Sequence, residues 1–188
     1  TPKPSSAASD VYKRQLQTYT ASIDPCLLSG KFLVLHRILS SIRKHTQDRV
    51  IIVSNFTSTL NLLQRYCVRQ KFPFLRLDGR TKADIRSKMV NEFNSDSGSD
   101  HLGKQPFVFL LSSKSGGVGL NLIGANRLIL FDSDWNPATD RQAMARIHRD
   151  GQLKPCFIYR LLLVGSMDEK IYQRQITKIG LSDSLMSN

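Results

Sequence analysis

Short apolar runs alternate with amphipathic helical patterns along this chain from Ser29 onward. Val50 to Val53 is an unbroken β-branched run, which is typical of a strand covered on both faces. The segment before it repeats its apolar residues at the spacing of a helix that is buried on one face: Leu35, Ile38, Leu39 and Ile42. This alternation predicts an α/β domain with a mainly parallel sheet flanked by helices.

The same patterns predict the remaining elements. Strands are expected at residues 74–77, 107–112, 127–131 and 157–163, and helices at 57–70, 81–93, from Pro137, and from Ser166 to about Lys178. Side chains expected to face inward are Leu60, Leu63 and Cys67 in one helix and Ile85, Met89 and Phe93 in the next. Helix starts are indicated by capping boxes, at Thr81 with Asp84 and at Ser166 with Glu169, and by Asn136 followed by Pro137.

The length of 188 residues fits one domain. We expect residues 29–180 to form it, with 1–28 as a tail or linker and 181–188 as a tail. The first fourteen residues are rich in Ser, Ala and Pro and lack the apolar stretch of a signal peptide. Residues 94–106 are polar and predict a long surface loop. The longest apolar runs are far shorter than the roughly 20 residues of a membrane span, so no membrane role is expected.

The charge balance favours a polyanionic partner. There are 27 basic and 15 acidic residues, which leave a formal charge of +12. A cationic surface that serves only solubility is the alternative. The three cysteines form no CxxC pair and no Cys/His cluster, so we expect neither a metal site nor a disulfide framework, and a reducing compartment fits.

The stretch QAMARIHRDGQ, residues 142–152, carries the most specific chemistry. Gln142, Arg146 and Arg149 follow one another at offsets of four and three, which places them on one stripe of a helix and its exit, while Ala143, Met144 and Ile147 lie on the other side. Two arginines on a rigid support favour an anion, first of all a nucleoside triphosphate, because an arginine at a transferring phosphoryl group accelerates transfer by about 10³ to 10⁵. The alternative is a solvated basic helix end.

A glycine-rich turn follows the strand that ends near Ser112. Gly116, Gly117 and Gly119 would let backbone N–H groups approach an oxyanion, and Ser113 and Lys114 would add a hydroxyl and a charge. The turn lacks the third glycine of a dinucleotide fingerprint. A tight turn without a ligand is the alternative.

The chain has no Walker A loop. In Ser29-Gly30-Lys31-Phe32 the residue after the lysine is neither Ser nor Thr, and Pro25 stands where the first glycine belongs. No acidic metal-binding pair follows a strand in the required way. An arginine pair without the residues that hold a triphosphate and Mg²⁺ predicts one half of a two-lobed motor.

Two more strand ends carry similar polar groups. Ser54, Asn55 and Thr57 follow the first strand, and the segment from Asp78 to Thr81 follows the second. Helix starts and hydroxyls of this kind bind phosphates, so two such sites on one sheet edge indicate a nucleic-acid backbone track. An ordinary helix cap at Thr57 is the alternative. Trp135 is expected to pack at its strand-to-helix turn rather than stack on a base.

Together these motifs resemble the second RecA-like lobe of Swi/Snf-type superfamily 2 motors, the ATP-driven double-stranded DNA translocases. The resemblance runs from about Ser29 to Lys178, and its blocks are residues 29–35, 50–59, 77–94, 112–122 and 132–152. Within that family the chain is similar to the homologous-recombination branch that works with the eukaryotic strand-exchange recombinase, on residues 112–114, 121–124, 149–151, 158–161 and 169–175. His148 departs from the tryptophan of many members of that branch and matches nucleosome remodellers.

The resemblance implies a role for each matched residue. Arg146 and Arg149 would be arginine fingers, and Gln142 would position nucleotide or water. Nucleotide binding would also involve Gly117, Gly119 and Asp140. The DNA backbone would be contacted by Ser54, Asn55, Thr57, Thr81, Ser113 and Lys114. The last helix would return toward the other lobe as a brace.

The resemblance also implies partners and a mechanism. ATP with Mg²⁺ would be held mainly by the missing amino-terminal RecA-like lobe, so this piece alone would hydrolyse no ATP. Closure and reopening of the two lobes would walk the motor along double-stranded DNA without unwinding it, independently of sequence. A strand-exchange recombinase filament or a nucleosome would be further partners, and the nucleus the location.

Three alternatives stay open. The chain could belong to a nucleosome remodeller, to an RNA helicase, or to a non-catalytic DNA- or protein-binding module that kept the fold. The block from Asp134 to Pro137 and the ending Arg149-Asp150-Gly151-Gln152 speak against an RNA helicase, and the intact arginines speak against a decayed module.

Overall fold

The computed structural model describes residues 29–95, 105–115 and 120–186, with side chains up to residue 180. The chain divides into two compact units, residues 1–38 and 39–188. The division lies within helix α1 (Gly30–His45), and the described part of the first unit consists of Ser29 and the beginning of that helix. Among the described residues, no helix combines the length and the apolar character that a membrane crossing needs.

The second unit is built on a parallel sheet. The described strands are β1 (Val50–Ser54), β2 (Phe74–Leu77), β3 (Val108–Ser112), β4 (Arg127–Leu130) and β5 (Phe157–Arg160). They are arranged in the order β2-β3-β1-β4-β5, and every neighbouring pair is parallel. The predicted α/β architecture is therefore confirmed. The unbroken apolar runs of β1 and β3 are buried along their whole length, as expected for central strands with both faces covered.

The helices of this unit are α2 (Thr57–Arg69), α3 (Ala83–Asn94), α4 (Pro137–Met144) and α5 (Met167–Met186). In α2 the residues predicted to face inward are buried, namely Leu60, Leu63 and Cys67. In α3 only Phe93 is buried; the prediction that Ile85 faces inward is wrong, because that side chain is 48% exposed.

The helix starts confirm some of the predicted caps. Asn136 accepts a hydrogen bond from the Ala138 N–H at 3.1 Å, with Pro137 in the first turn, as predicted. Ser166 accepts from the Asp168 N–H at 3.2 Å, but Glu169 accepts from Gly165 and not from Ser166, so that capping box is only half formed. Helix α5 continues to Met186, beyond the predicted end near Lys178.

The core lies around the central strands and reaches the arginine-bearing segment. Phe93 of α3 packs edge-to-face on Phe109 of β3, with ring centroids 4.9 Å apart. Ala143 and Ile147 join the same cluster, as the helical spacing predicted. At Gly124 a Cβ atom would overlap the Phe93 carbonyl, so a glycine is needed where α3 meets the segment before β4. The arginine-bearing segment is thus anchored in the core.

Candidate functional site

The predicted phosphate-binding segments meet at one edge of the sheet, as the carboxyl ends of parallel strands must. Ser54 lies level with Ser112 across the β1–β3 pair. The Ser113 N–H donates to the Ser54 carbonyl at 3.1 Å, and the Phe131 N–H donates to the Val53 carbonyl at 3.0 Å. We call this region, with residues 54–57, 78–81, 113–114 and 132–136, the carboxyl edge.

Ser54 and its neighbours differ sharply in exposure. The Ser54 side chain is fully buried, donates to the Asp132 carboxylate, and accepts from the Phe56 N–H at 3.2 Å. Direct phosphate contact by Ser54 does not fit this arrangement, because its hydroxyl holds the ends of two strands together. Asn55 is half-buried and Thr57 is exposed. Phe56, not Thr57, occupies the N-cap position of α2, and no side chain caps this helix.

The turn after β2 is held by its own residues. Thr81 accepts a hydrogen bond from the Asp78 N–H at 3.2 Å, so its hydroxyl closes the turn instead of capping α3, which begins two residues later with Lys82 as its N-cap. Asp78 also forms an ion pair with Arg76 at 2.9 Å. A Cβ at Gly79 would meet open space, so this turn has no steric need for glycine.

The segment after β3 presents one exposed charge. Lys114 is exposed, whereas the Ser113 hydroxyl is buried and has no hydrogen-bond partner within the described part of the chain. Ser115 donates to the Ser112 carbonyl at 3.0 Å and closes the turn. Gly117 and Gly119, predicted to bind nucleotide, lie outside the described residues.

The two predicted finger arginines lie on a turn, which we call the arginine turn (residues 145–152), because α4 already ends at Met144. Arg149 is exposed, while Arg146 is only 6% exposed. Burial, and secondly the nearby charge of Arg149, lower the pKa of the Arg146 guanidinium. Gln142 is exposed on α4. Of the three side chains predicted to form one stripe, Gln142 and Arg149 therefore lie on the surface and Arg146 lies in the interior.

The arginine turn rests on the segment that leads into β4. The Leu122 N–H donates to the Arg146 carbonyl at 3.1 Å. Gly151 has a φ of +96°, a conformation that favours glycine, where the chain leaves the turn. Beside the turn lies an open cleft of about 480 Å³, lined by Asn121, Arg149 and Asp150. The guanidinium of Arg149 thus borders a space that a ligand group could enter.

Asp140, predicted to bind nucleotide, is a structural anchor in this arrangement. It is 3% exposed, accepts from the Asp134 N–H at 3.2 Å and from the Gln175 amide at 2.9 Å, and pairs with Arg160 at 3.7 Å. Gln175 also donates to the Asp134 carbonyl and accepts from Arg160 at 2.7 Å. This network joins four parts of the lobe: the turn after β4, the start of α4, the end of β5, and α5. Direct ligand contact by Asp140 does not fit it, because the carboxylate is already bound within the lobe.

Sequence reasoning missed Gln175, although a signal was present. Gln175 lies four residues after Ile171 and four before Ile179, the inward positions of α5, and it is 1% exposed. A polar residue at an inward helical position predicts a buried hydrogen-bond network.

Trp135 combines packing with exposure. Its ring lies under the Arg174 guanidinium at 5.4 Å, and Lys178 donates to its carbonyl at 3.5 Å. The ring is nevertheless 47% exposed. The predicted packing against the strand-to-helix turn stays a prediction, because the ring contact is with α5, and about half of the ring is exposed.

Known proteins resemble this chain over most of its length. "Protein CHROMATIN REMODELING 25" of Arabidopsis thaliana is 54% identical over 154 residues, which are 82% of this chain and 16% of that protein. "DNA repair and recombination protein RAD54" of Oryza sativa subsp. japonica is also 54% identical, over 82% of this chain and 15% of its own length. "DNA repair protein rhp54" of Schizosaccharomyces pombe is 50% identical over 92% of this chain and 20% of its own length. The chain thus spans about a fifth or less of these relatives.

A solved structure and a family model agree with these relatives. The crystal structure of the C-terminal part of the Fun30 ATPase domain superposes with a TM-score of 0.75 at 37% identity, over 87% of this chain and 50% of that one. The predicted RecA-like lobe and its resemblance to the recombination branch of Swi/Snf-type proteins are confirmed. The model of the helicase conserved C-terminal domain matches residues 30–151. This chain therefore belongs to the helicase conserved C-terminal domain family.

Proposed function

We propose that this chain is the second motor lobe of an ATP-dependent double-stranded DNA translocase that acts in recombinational repair and chromatin remodelling in the nucleus. The names of its relatives, which refer to DNA repair, recombination and chromatin remodelling, support the process. ATP with Mg²⁺, double-stranded DNA and an amino-terminal RecA-like lobe complete the motor. A strand-exchange recombinase filament or a nucleosome would be the further partner.

The arginine turn is the observation that carries this proposal. Two guanidinium groups lie close enough for the charge of Arg149 to lower the pKa of Arg146. An anion bound beside Arg149, where the cleft is open, would offset this repulsion. Arginine also suits this task because its planar fork can bind two phosphate oxygens at once.

Each residue of the turn has a distinct task in this mechanism. ATP supplies a γ-phosphoryl group that is transferred to water. Arg149, which is exposed, donates hydrogen bonds to the γ-phosphate oxygens, and Arg146 adds positive potential from within the lobe. Gln142 orients nucleotide or water from the surface of α4. Mg²⁺ would be held mainly by the amino-terminal lobe.

The carboxyl edge would hold the DNA backbone. Asn55, Thr57 and Lys114 reach its surface, Thr81 is partly accessible, and the buried Ser113 hydroxyl would need a small displacement to reach a phosphate. A chain charge of +12 supports attraction to the polyanion. Because phosphates carry no sequence information, translocation would be independent of sequence.

The test uses the full-length protein. Replacing Arg149 by alanine removes the cationic donor that lines the cleft, and we expect DNA-stimulated kcat for ATP hydrolysis to fall by about 10³. Arg141→Ala is the matched control, because Arg141 is an exposed arginine of α4 outside the turn, and it should keep full turnover. Unchanged turnover in Arg149→Ala would favour a non-catalytic binding module.

Two further measurements separate the remaining alternatives. Duplex DNA should stimulate the wild-type ATPase more than duplex or single-stranded RNA does; the reverse order would favour an RNA helicase. The isolated lobe should show no ATP turnover of its own, and measurable turnover would contradict the division of labour between two lobes.

A further inference from the structure

The side chain of Gln152 makes an unusual set of contacts at the end of the arginine turn. Its amide nitrogen Nε2 lies 2.9 Å from the Ala125 carbonyl and 3.2 Å from those of Ile123 and Ile147. Its oxygen Oε1 accepts from the Lys154 N–H at 3.0 Å. A primary amide has two donor hydrogens, so at least one is shared between carbonyls.

These carbonyls belong to two different pieces of chain. Ile123 and Ala125 lie in the segment that leads into β4, whereas Ile147 lies in the arginine turn between Arg146 and Arg149. One side chain therefore connects the arginine turn to the segment that leads into β4. The backbone of Gln152 contributes as well, because its N–H donates to the Arg149 carbonyl at 3.0 Å.

The arginine turn needs such support because two of the bonds that join it to the end of α4 are long. The Arg146 N–H reaches the Ala143 carbonyl at 3.3 Å, and the Ile147 N–H reaches the Met144 carbonyl at 3.3 Å, both at the long end of the hydrogen-bond range. The repulsion between the two guanidinium groups also acts to separate them. The partly buried hydrogen bonds of the Gln152 side chain oppose both effects.

We infer that Gln152 is a positioning residue for the arginine pair: it touches no substrate atom and fixes the backbone from which Arg146 and Arg149 extend. The inference rests on the proposed ATPase function and adds a residue to it. A displacement of about 1 Å at a catalytic group can cost about 10²-fold in rate, so loss of this support should be visible in catalysis.

The first experiment separates positioning from folding. In the full-length protein, we expect Gln152→Ala to lower DNA-stimulated kcat by about ten- to hundredfold with little change in KM for ATP, at a temperature where thermal unfolding shows both proteins fully folded. Gln173→Ala is the control, because Gln173 is an exposed glutamine of α5 whose amide lies 3.5 Å from Glu169. Equal kcat values for the three folded proteins would overturn the inference.

A second variant covers the case in which Gln152→Ala does not fold. Gln152→Glu keeps the volume and the acceptor for the Lys154 N–H but removes the donors to the three carbonyls. We expect the same loss of kcat, and a folded Gln152→Glu protein with wild-type kcat would overturn the inference.

A double-mutant cycle with Arg149→Lys tests whether Gln152 acts through the arginine. Lysine keeps the positive charge but cannot bind two phosphate oxygens at once. We therefore expect Arg149→Lys to lower kcat and to make it independent of the precise geometry that Gln152 maintains. If Gln152 acts by positioning Arg149, its removal from the Arg149→Lys protein should change kcat by less than about twofold. A full additive loss would mean a general structural role and overturn the inference. A wild-type protein without DNA-stimulated turnover would instead refute the proposed function.

Discussion

The carboxyl edge and the arginine turn use their polar residues in opposite ways. At the carboxyl edge, the hydroxyls of Ser54 and Thr81 form hydrogen bonds within the lobe. In the arginine turn, the Arg149 side chain is exposed, and the Gln152 side chain holds the backbone through hydrogen bonds to the Ile123 and Ile147 carbonyls. The first region mainly holds strand ends together, and the second presents a charge to its surroundings.

The difference follows from side-chain length. A serine or threonine hydroxyl lies within reach of the neighbouring backbone and readily bonds to it at a strand end or turn. An arginine guanidinium extends far from its own backbone, so a turn can be fixed through main-chain carbonyls while the charge remains available. Ser54 and Thr81 are therefore engaged within the lobe, whereas the guanidinium of Arg149 is exposed and that of Arg146 is buried.

The largest effect on stability should come from the network around Asp140. Asp140→Ala removes the buried acceptor shared by Gln175 and Arg160, and we expect the free energy of unfolding to fall by about 3 kcal/mol. Asp150→Ala, at an exposed residue of the arginine turn, should change it by less than about 0.5 kcal/mol. Urea denaturation of the purified chain measures both. Equal losses would show that the Asp140 network, which binds the Asp134 N–H of the carboxyl edge, matters no more for stability than an exposed residue of the arginine turn.

The sequence predicted the layered fold well because the decisive signals are local. The β-branched run of β1 needs both faces covered, and a parallel sheet with helices is the common way to provide this. The helix start at Asn136 and Pro137 was also predictable, because the cap bonds to a residue only two positions away. The contacts of a residue whose partner lies far away in the sequence cannot be predicted from such local patterns.

Ser54 and Ile85 show where such reasoning fails. The hydroxyl of Ser54 meets a carboxylate 78 positions further along the chain, a distance in sequence that no local pattern reveals. Ile85 keeps the helical spacing of an inward residue, yet α3 buries little more than Phe93, so spacing alone did not decide burial.

The geometry of the arginine motif differs from the predicted one, and the roles of its residues stay predictions. The offsets between Gln142, Arg146 and Arg149 predicted one helical stripe. Because α4 ends at Met144, the two arginines lie in a turn and not on a helix, and Arg146 is buried. Gln152 stood inside the same motif, but its support of the turn depends on carbonyls almost 30 residues earlier in the chain.

An intermediate effect on the free energy of unfolding should distinguish the hydroxyl of Ser54 from that of Thr57, which lies in the same motif. Ser54→Ala removes the bond to Asp132, and we expect a loss of about 1–2 kcal/mol in the free energy of unfolding. Thr57→Ala should leave stability within about 0.5 kcal/mol, because Thr57 is exposed. It should weaken duplex DNA binding instead, as measured by fluorescence anisotropy on folded protein. If Thr57 controls stability and Ser54 does not, the assignment of the carboxyl edge is wrong.

The smallest effect concerns a single charge at the carboxyl edge. Each phosphate neutralised by a protein cation contributes about 0.9 to the slope of log K against log salt concentration for duplex DNA. Lys114→Ala should therefore reduce that slope in the full-length protein by about 0.9, and by the same amount on duplexes of different sequence. Lys44→Ala is the control, because Lys44 is an exposed lysine of α1, which leads into the opposite end of β1. An equal reduction in both variants would show that the basic surface attracts DNA without a defined track. A reduction confined to Lys114→Ala would instead locate the DNA backbone at the carboxyl edge.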